Sequence, residues 1–319
     1  MQRNSLGTKA VVFKKKKPFF VNLKEKYQLY LMLLPAFLLA TIFCYVPLLG
    51  WVMAFTDYQL GQDMFRAQWT GFQQFTSFFS SAGDAWYTVR NTLVINLLSL
   101  FVGLFVACVF AILLNEVQVK VFKKFVQTSS FFPYFVSWVI VYMIFNSFFA
   151  VRSGVMNQML MKIGVVSDGI NFLGDPVYSW GMILFVNIWK GLGYNSVIFL
   201  AAIAGIDQEQ YEAAAIDGAS RFQKMIHITI PELTATLVVL LIMNSGWIFA
   251  SNLEEFYLFC NDSNYTMMEV LDLYIYNYGL KYLNFSYATA VGIIKTIASI
   301  LMFLLVNFTT KKLKGTAII

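Results

Sequence analysis

The sequence predicts an all-α, polytopic membrane protein with six transmembrane helices, and three observations carry that expectation. The 319-residue chain is 59% hydrophobic and only 13% charged, whereas an ordinary soluble domain runs at about 45–50% and 25%. Six apolar runs reach the roughly 20 residues that cross a bilayer core: Tyr27 to Phe55, Thr88 to Leu114, Phe125 to Phe149, Tyr178 to Ala204, Thr234 to Phe256 and Tyr287 to Phe308. None shows the period-two alternation and turn punctuation of a membrane β-barrel, which leaves helices.

The first run begins after a basic segment, as a cleavable signal would. It is too long for one, no small-x-small site closes it, and bulky Phe43 before Cys44 does not fit a lipobox, so it reads as an uncleaved anchor. With the amino terminus inside, the inner segments hold Arg3, Lys9, Lys14 to Lys17, Lys24, Lys26, Lys120, Lys123, Lys124, Arg221, Lys224, Lys311, Lys312 and Lys314. The outer loops hold only Arg66, Arg90, Arg152, Lys162 and Lys281, and two further lysines, Lys190 and Lys295, fall inside spans. This bias predicts that both termini are cytoplasmic.

The net charge of +6 therefore reports topology and not nucleic-acid affinity, because the basic residues flank spans instead of sharing one face. Lys14 to Lys17 read as an orientation signal and lipid-surface anchor. Cys44, Cys108 and Cys260 lie in or beside spans at no metal-ligand spacing, so they are expected as small apolar core residues, with no metal site. The outer loops 56–87, 150–177 and 257–286 are long, and the Tyr/Asn-rich segment from Tyr257 to Tyr287 is expected to form the lip of an outer vestibule.

The inner connections are short except for residues 205–233, between the fourth and fifth spans. Asp207 suits an N-cap, with Gln210 placed to complete a capping box, so a short helix should start there and run through Ala215 to a stop at Gly218. Tyr211, Ala214, Ala215 and Gly218 fall at i, i+3, i+4 and i+7, a mostly small face that lets another backbone approach closely. Glu212 and Asp217 offer negative charge for polar contacts, or Asp217 caps the turn before a second helix near Ser220, and Pro231 breaks away into the fifth span. Two short helices meeting at a glycine make a knob rather than an active site.

Glu212-Ala213-Ala214, Gly218 and Ile228-x-Ile230-Pro231 resemble the EAA loop of permease subunits of binding-protein-dependent ABC importers. Ile230 stands where that family usually has Leu. The resemblance extends through Asn91-Thr92-Leu93, Ala111 to Glu116, Phe122 to Thr128, Pro133, Ser137 to Ile140 and Trp189-Lys190-Gly191-Leu192-Gly193 to the carbohydrate-uptake branch. Tyr45-x-Pro47, Gly50 and Ala54-Phe55-x-Asp57-Tyr58 are similar to its complex-oligosaccharide subgroup.

The resemblance implies a bacterial cytoplasmic membrane protein in which 205–233 is a cytoplasmic coupling helix docked in a cleft of an ATPase, through Tyr211, Glu212, Ala213, Ala214, Ala215, Asp217, Gly218 and Pro231. It also implies a second homologous permease, two cytoplasmic ABC ATPases and an extracellular solute-binding protein or lipoprotein that delivers an oligosaccharide. Under it the chain divides into a basic cytoplasmic tail at 1–26, the first span with its outer loop at 27–84, the five-helix transport core at 85–310 and a basic tail at 311–319.

Polar groups inside spans are costly and mark pathways or partners. Asn187, Lys190, Asn244, Asn252, Glu254, Glu255 and Lys295 are therefore candidate pathway residues, with Trp189, Trp247 and Tyr257 as aromatic faces for pyranose stacking. Lys190 sits mid-span, where insertion costs about 2.5–3.5 kcal/mol, so it calls for a cavity, a carboxylate of the partner permease, or carbonyls freed at a Gly191/Gly193 break. Glu254 and Glu255 are expected at a hydrated outer rim. The lone His227 has no catalytic company and is expected on a helix surface, and no G-x-x-x-x-G-K-[ST] loop occurs. ATP and Mg are thus expected in partner subunits, with no cofactor on this chain. An ion-coupled transporter or channel remains the rival reading, and a membrane enzyme would need a convergent acid, His or Ser set that the sequence does not supply.

Overall fold

The computed structural model describes residues 27–80 and 82–314; the predicted basic tail at 1–26 lies outside them, as does 315–319 of the predicted tail at 311–319, whose residues 311–314 continue the last helix. Among the described residues the fold is helical apart from one antiparallel pair of two-residue strands, β1 (Thr56–Asp57) and β2 (Gln68–Trp69). The described residues divide after Trp51 into two compact units.

The first unit contains most of α1 (Tyr27–Phe55), whose α-helical part carries Pro35 and gives way to a π turn at Thr41–Tyr45 and a 3₁₀ stretch from Val46. Its apolar side chains face outward, Met32 at 78% exposure, as lipid-facing residues do. Cys44 is exposed among them, so the expectation of a core cysteine fails there; Cys108 and Cys260 are half-buried.

In the second unit α2 (Gln73–Ser80) leads into α3 (Ala82–Glu116), the long second span. It packs along α7 (Pro176–Ala204), the fourth span, where Ala107 and Ala111, four residues apart and fully buried, meet Phe199 and Ile203. Small residues at that spacing let two apolar helices come close without needing a hydrophobic drive. Asp175 caps α7, its side chain accepting from Val177 N at 2.9 Å, and Pro176 occupies the first position, where its missing N–H costs nothing.

Two expected spans change shape. The third, predicted over Phe125 to Phe149, is two helices, α4 (Lys120–Phe131, extended by a 3₁₀ turn to Phe135) and α5 (Trp138–Phe149), bent by 107°. Pro133 cannot donate to a helix, and Val136 and Ser137 are extended at ψ 134° and 152°. The fifth, predicted over Thr234 to Phe256, belongs to a longer helix, α9 (Arg221–Ser245), and stops eleven residues short of Phe256. Pro231 does not break it away from the preceding helix: a π turn at Met225–Thr229 absorbs the proline, with Ile230 N–H reaching back to Met225 O. Beyond Ser245 the chain turns back through α10 (Leu253–Phe259).

The segments expected as outer loops are also more ordered than loops. α6 (Val155–Ile163) is held by buried Asn157, which donates to Ala150 O at 3.0 Å and Ile170 O at 2.8 Å. The Tyr/Asn-rich segment, expected as the lip of an outer vestibule, is itself folded. It folds as α11 (Tyr265–Met268) and α12 (Leu271–Tyr276) against α3 and α13 (Phe285–Lys314). Buried Asn91 donates to Thr266 O and Glu269 O, Thr92 Oγ1 accepts from Leu271 N at 2.9 Å, and Tyr274 and Tyr287 share a buried hydroxyl pair at 2.8 Å. Its many Asn and Tyr residues serve internal hydrogen bonds that the sequence pattern alone does not pair.

Candidate functional site

The 107° bend frees backbone carbonyls in an apolar setting, where each needs a partner. Lys190, the middle residue of α7, supplies one: its Nζ donates to Pro133 O at 3.2 Å, Tyr134 O at 3.1 Å and Val136 O, and lies 5.1 Å from the Trp138 ring centroid. Three residues on, Gly193 meets the same strand of chain, and a Cβ there would run into the backbone of Ser130 and Phe131. Ile183, Val186, Lys190 and Gly193 share one buried face of α7, so the Trp-Lys-Gly-Leu-Gly sequence is a receiver for the bend. The lysine binds carbonyls, as one sequence reading had it, but those of the bend and not of a break at Gly191/Gly193, where α7 is continuous.

Beside the bend lies a cavity of about 630 Å³. Its walls are Asn96, Ser99 and Gly103 of α3, Tyr134, Val136, Ser137 and Trp138 of the bend, Asn187, Lys190, Gly191 and Asn195 of α7, and Ala250 to Phe256 of the returning chain, Leu253 apart. Some polar groups here are already engaged. Asn96 donates to Ile248 O at 2.8 Å and Ser251 Oγ at 3.0 Å, Asn187 donates to Glu255 Oε1 at 2.7 Å, and Asn252 Oδ1 caps α10 through Glu255 N at 3.2 Å. Others are not: Ser99 Oγ is buried without a protein partner, and Glu254 stands exposed.

Of the predicted pathway residues, the structure brings Asn187, Lys190, Asn252, Glu254 and Glu255 to this cavity. Glu255 is only 3% exposed, which corrects its placement on a hydrated rim; the early end of α9 tucks α10 inward. Asn244 and Trp247 line a neighbouring hollow of about 230 Å³ with Asn96, Ser99 and Asn195. Trp189 points away, edge-on to Phe145 in the core, and Tyr257 packs on Tyr276. Lys295 is also elsewhere: it pairs with Asp272, whose other oxygen accepts from Ser251 N at 2.7 Å and so pins the chain's return.

Asn96, Ser99, Ser137 and Asn195 escaped the sequence reading. A signal for them existed, since Asn96, Ser99 and Gly103 fall at i, i+3 and i+7, and Asn187, Gly191 and Asn195 at i, i+4 and i+8. Each set is a polar or small stripe on an otherwise apolar helix.

The polar loop is built by local rules. α8 (Gln208–Ile216) starts at Asp207, which accepts from Glu209 N at 3.0 Å. It ends with Gly218 at φ +78°, while Gly218 N and Ala219 N close on Ala215 O and Ala214 O at 3.1 and 2.8 Å. Ser220 and Gln223 form a capping box for α9, so Asp217 is not needed as its cap. Gln210 completes no box; its amide reaches Glu232 at 3.4 Å. Tyr211 turns toward its own chain, its hydroxyl 2.8 Å from Thr229 Oγ1, and Ala214 is half-buried. Glu212, Ala213, Ala215, Asp217 and Gly218 are exposed, with Ile216 at 88%. Pro231 lies beyond the π turn within α9. His227 is exposed on α9, its Nδ1 3.0 Å from Gln223 O.

Residues 99–315 match the family model described as binding-protein-dependent transport system inner membrane component. Protein LplB of Bacillus subtilis is 39% identical over 91% of this chain and 90% of its own length. The polygalacturonan/rhamnogalacturonan transport system permease protein YteP of the same organism is 38% identical over 95% and 94%. Among solved structures, a chain of the bacterial alginate ABC transporter in complex with alginate pentasaccharide-bound periplasmic protein superposes with a TM-score of 0.85 at 33% identity. That match covers 95% of this chain and all of the other.

Proposed function

The chain belongs to the inner membrane components of binding-protein-dependent transport systems, as a multi-pass sugar ABC transporter permease, and from that premise we propose that it forms half of an ATP-driven oligosaccharide path. Its relatives are permease components, not enzymes. The path is the cavity beside the 107° bend, closed by a second homologous permease. The single observation that carries this reading is the polar lining of that cavity, where Asn96, Asn187, Asn195, Asn252 and Glu254 converge from otherwise apolar helices and Glu254 stands open. Sugar hydroxyls are the ligands that such mixed donors and acceptors suit.

In this reading both termini are cytoplasmic, and an extracellular binding protein delivers the oligosaccharide to the outer side. Two ATPases, which hold ATP and Mg, engage residues 205–233 of this chain and the matching loop of its partner. The exposed side of α8, with Glu212, Ala213, Ala215, Ile216 and Asp217, supplies the contact, while the Tyr211–Thr229 hydrogen bond ties α8 to α9. ATP-driven closure moves α8, and α9, continuous from Arg221 to Ser245, carries the motion to the chain return that walls the cavity. Alternating access follows as a rigid-body swing of the spans.

The ion-coupled alternative draws on the in-span lysines, yet Lys190 is held by three carbonyls and Lys295 by Asp272. The test is uptake into proteoliposomes that hold the complete complex. ATP should drive accumulation and an ion gradient alone should not; gradient-driven uptake without nucleotide would sink the proposal. Glu212→Lys should lower ATPase co-purification and uptake together.

A further inference from the structure

The charge on the cavity wall bears on what kind of oligosaccharide passes. Among the described residues that line it, the basic side chain is Lys190 alone, against the acidic pair Glu254 and Glu255. An ammonium has three N–H donors, and Lys190 spends them on the carbonyls of Pro133, Tyr134 and Val136 beneath the Trp138 ring. Glu255 is buried and bonded to Asn187. Glu254 is exposed and makes no salt bridge with any described residue.

We propose, on the reading that this cavity is the sugar path, that the cargo is an uncharged oligosaccharide and that this wall disfavours uronate-bearing chains. A carboxylated sugar is best held by guanidinium or ammonium groups, which present charge-assisted hydrogen bonds. Here no such group is free, and the open charge is Glu254, which repels a carboxylate. The neutral groups, the amides of Asn195 and Asn252, suit hydroxyls instead. The cargo would thus differ in charge from the acidic polysaccharides named for two of the relatives.

The experiment uses the complete reconstituted complex and a panel of neutral oligosaccharides, each paired with its C6-oxidised uronate counterpart of the same linkage and length. Sugar-stimulated ATP hydrolysis is read across concentrations. At least one neutral member should stimulate, with its uronate counterpart weaker by about tenfold or more, since like charges a few ångströms apart in a partly screened site cost that much or more. Glu254→Lys should narrow that gap by about tenfold and Glu254→Gln by less, with ATPase co-purification confirming assembly. The proposal is overturned if a uronate member stimulates as well as its neutral twin, or if neither variant moves the gap. Silence of both series, in a complex that hydrolyses ATP, removes the oligosaccharide reading itself and not only its charge selection.

Discussion

Two helix interruptions in this chain solve one problem by different means. The break between α8 and α9 lies among exposed, charged residues and is finished locally, by Gly218 at φ +78° with the Gly218 and Ala219 amides closing on α8, and by the Ser220–Gln223 box. The break between α4 and α5 lies in an apolar setting and has no side-chain cap of its own at Ser137. A lysine more than 50 residues further along the chain closes it, with a glycine that admits the backbone. Where water reaches, orphan carbonyls and amides tolerate a modest local fix; where it does not, the fold imports a partner at high cost.

The sharpest way to break this contrast is Lys190→Met. Three charge-assisted hydrogen bonds at about 1.5–3 kcal/mol each are lost, offset by the roughly 2.5–3.5 kcal/mol no longer needed to insert a lysine. The bonds win, so the complex should lose about 3 kcal/mol and most of its uptake, read as a lower thermal midpoint in detergent. An unchanged midpoint would mean that the α4–α5 bend holds without the lysine. Gly193→Val probes the other half of the receiver. Its side chain meets Ser130 and Phe131 backbone, which cannot step aside as a flexible side chain can, so a loss of about 2–3 kcal/mol is expected from overpacking.

The same contrast explains what the sequence made legible. The polar loop was legible at its caps and its left-handed glycine, which act within four positions: Asp207, Gly218 and the start near Ser220 all stand where local rules place them, while Gln210 and Pro231 take other roles. The bend was not, because hydropathy over Phe125 to Phe149 is blind to an interruption whose stabilising partner lies in another span. Lys190 was visible as a residue in need of a partner, but nothing local named Pro133, Tyr134 and Val136. The cavity suffered likewise: Asn96, Ser99 and Asn195 come from two helices that only the α3–α7 packing brings together. Glu255 was misplaced because a run of apolar residues to Phe256 hid the end of α9 at Ser245.

A substitution at the exposed break should behave differently. At Gly218 a side chain would meet nothing within 4 Å, so Gly218→Val carries only the left-handed backbone penalty of about 1–2 kcal/mol. The thermal midpoint of the spans should move little, while ATPase co-purification falls, because the angle between α8 and α9 is what the glycine sets. If co-purification survives unchanged, α8 does not couple in the proposed way. A fall in the midpoint as large as that of Lys190→Met would instead erase the distinction between the two breaks.

The smallest effect is expected from Ser220→Ala, and it tests independence. Loss of an N-cap costs about 1 kcal/mol, and here the freed Gln223 amide is exposed and can turn to water, which places the loss at the low end. Faster hydrogen exchange over residues 221–224 should report it, with no change in the concentration dependence of sugar-stimulated ATP hydrolysis. Because Ser220 and Lys190 share no hydrogen-bond partner, the losses from Ser220→Ala and Lys190→Met should add to within about 0.5 kcal/mol. A larger interaction energy would mean that the two breaks sense each other through α9. Coupling of ATP use to the cavity would then be stored in the resting fold and not only transmitted when α8 moves.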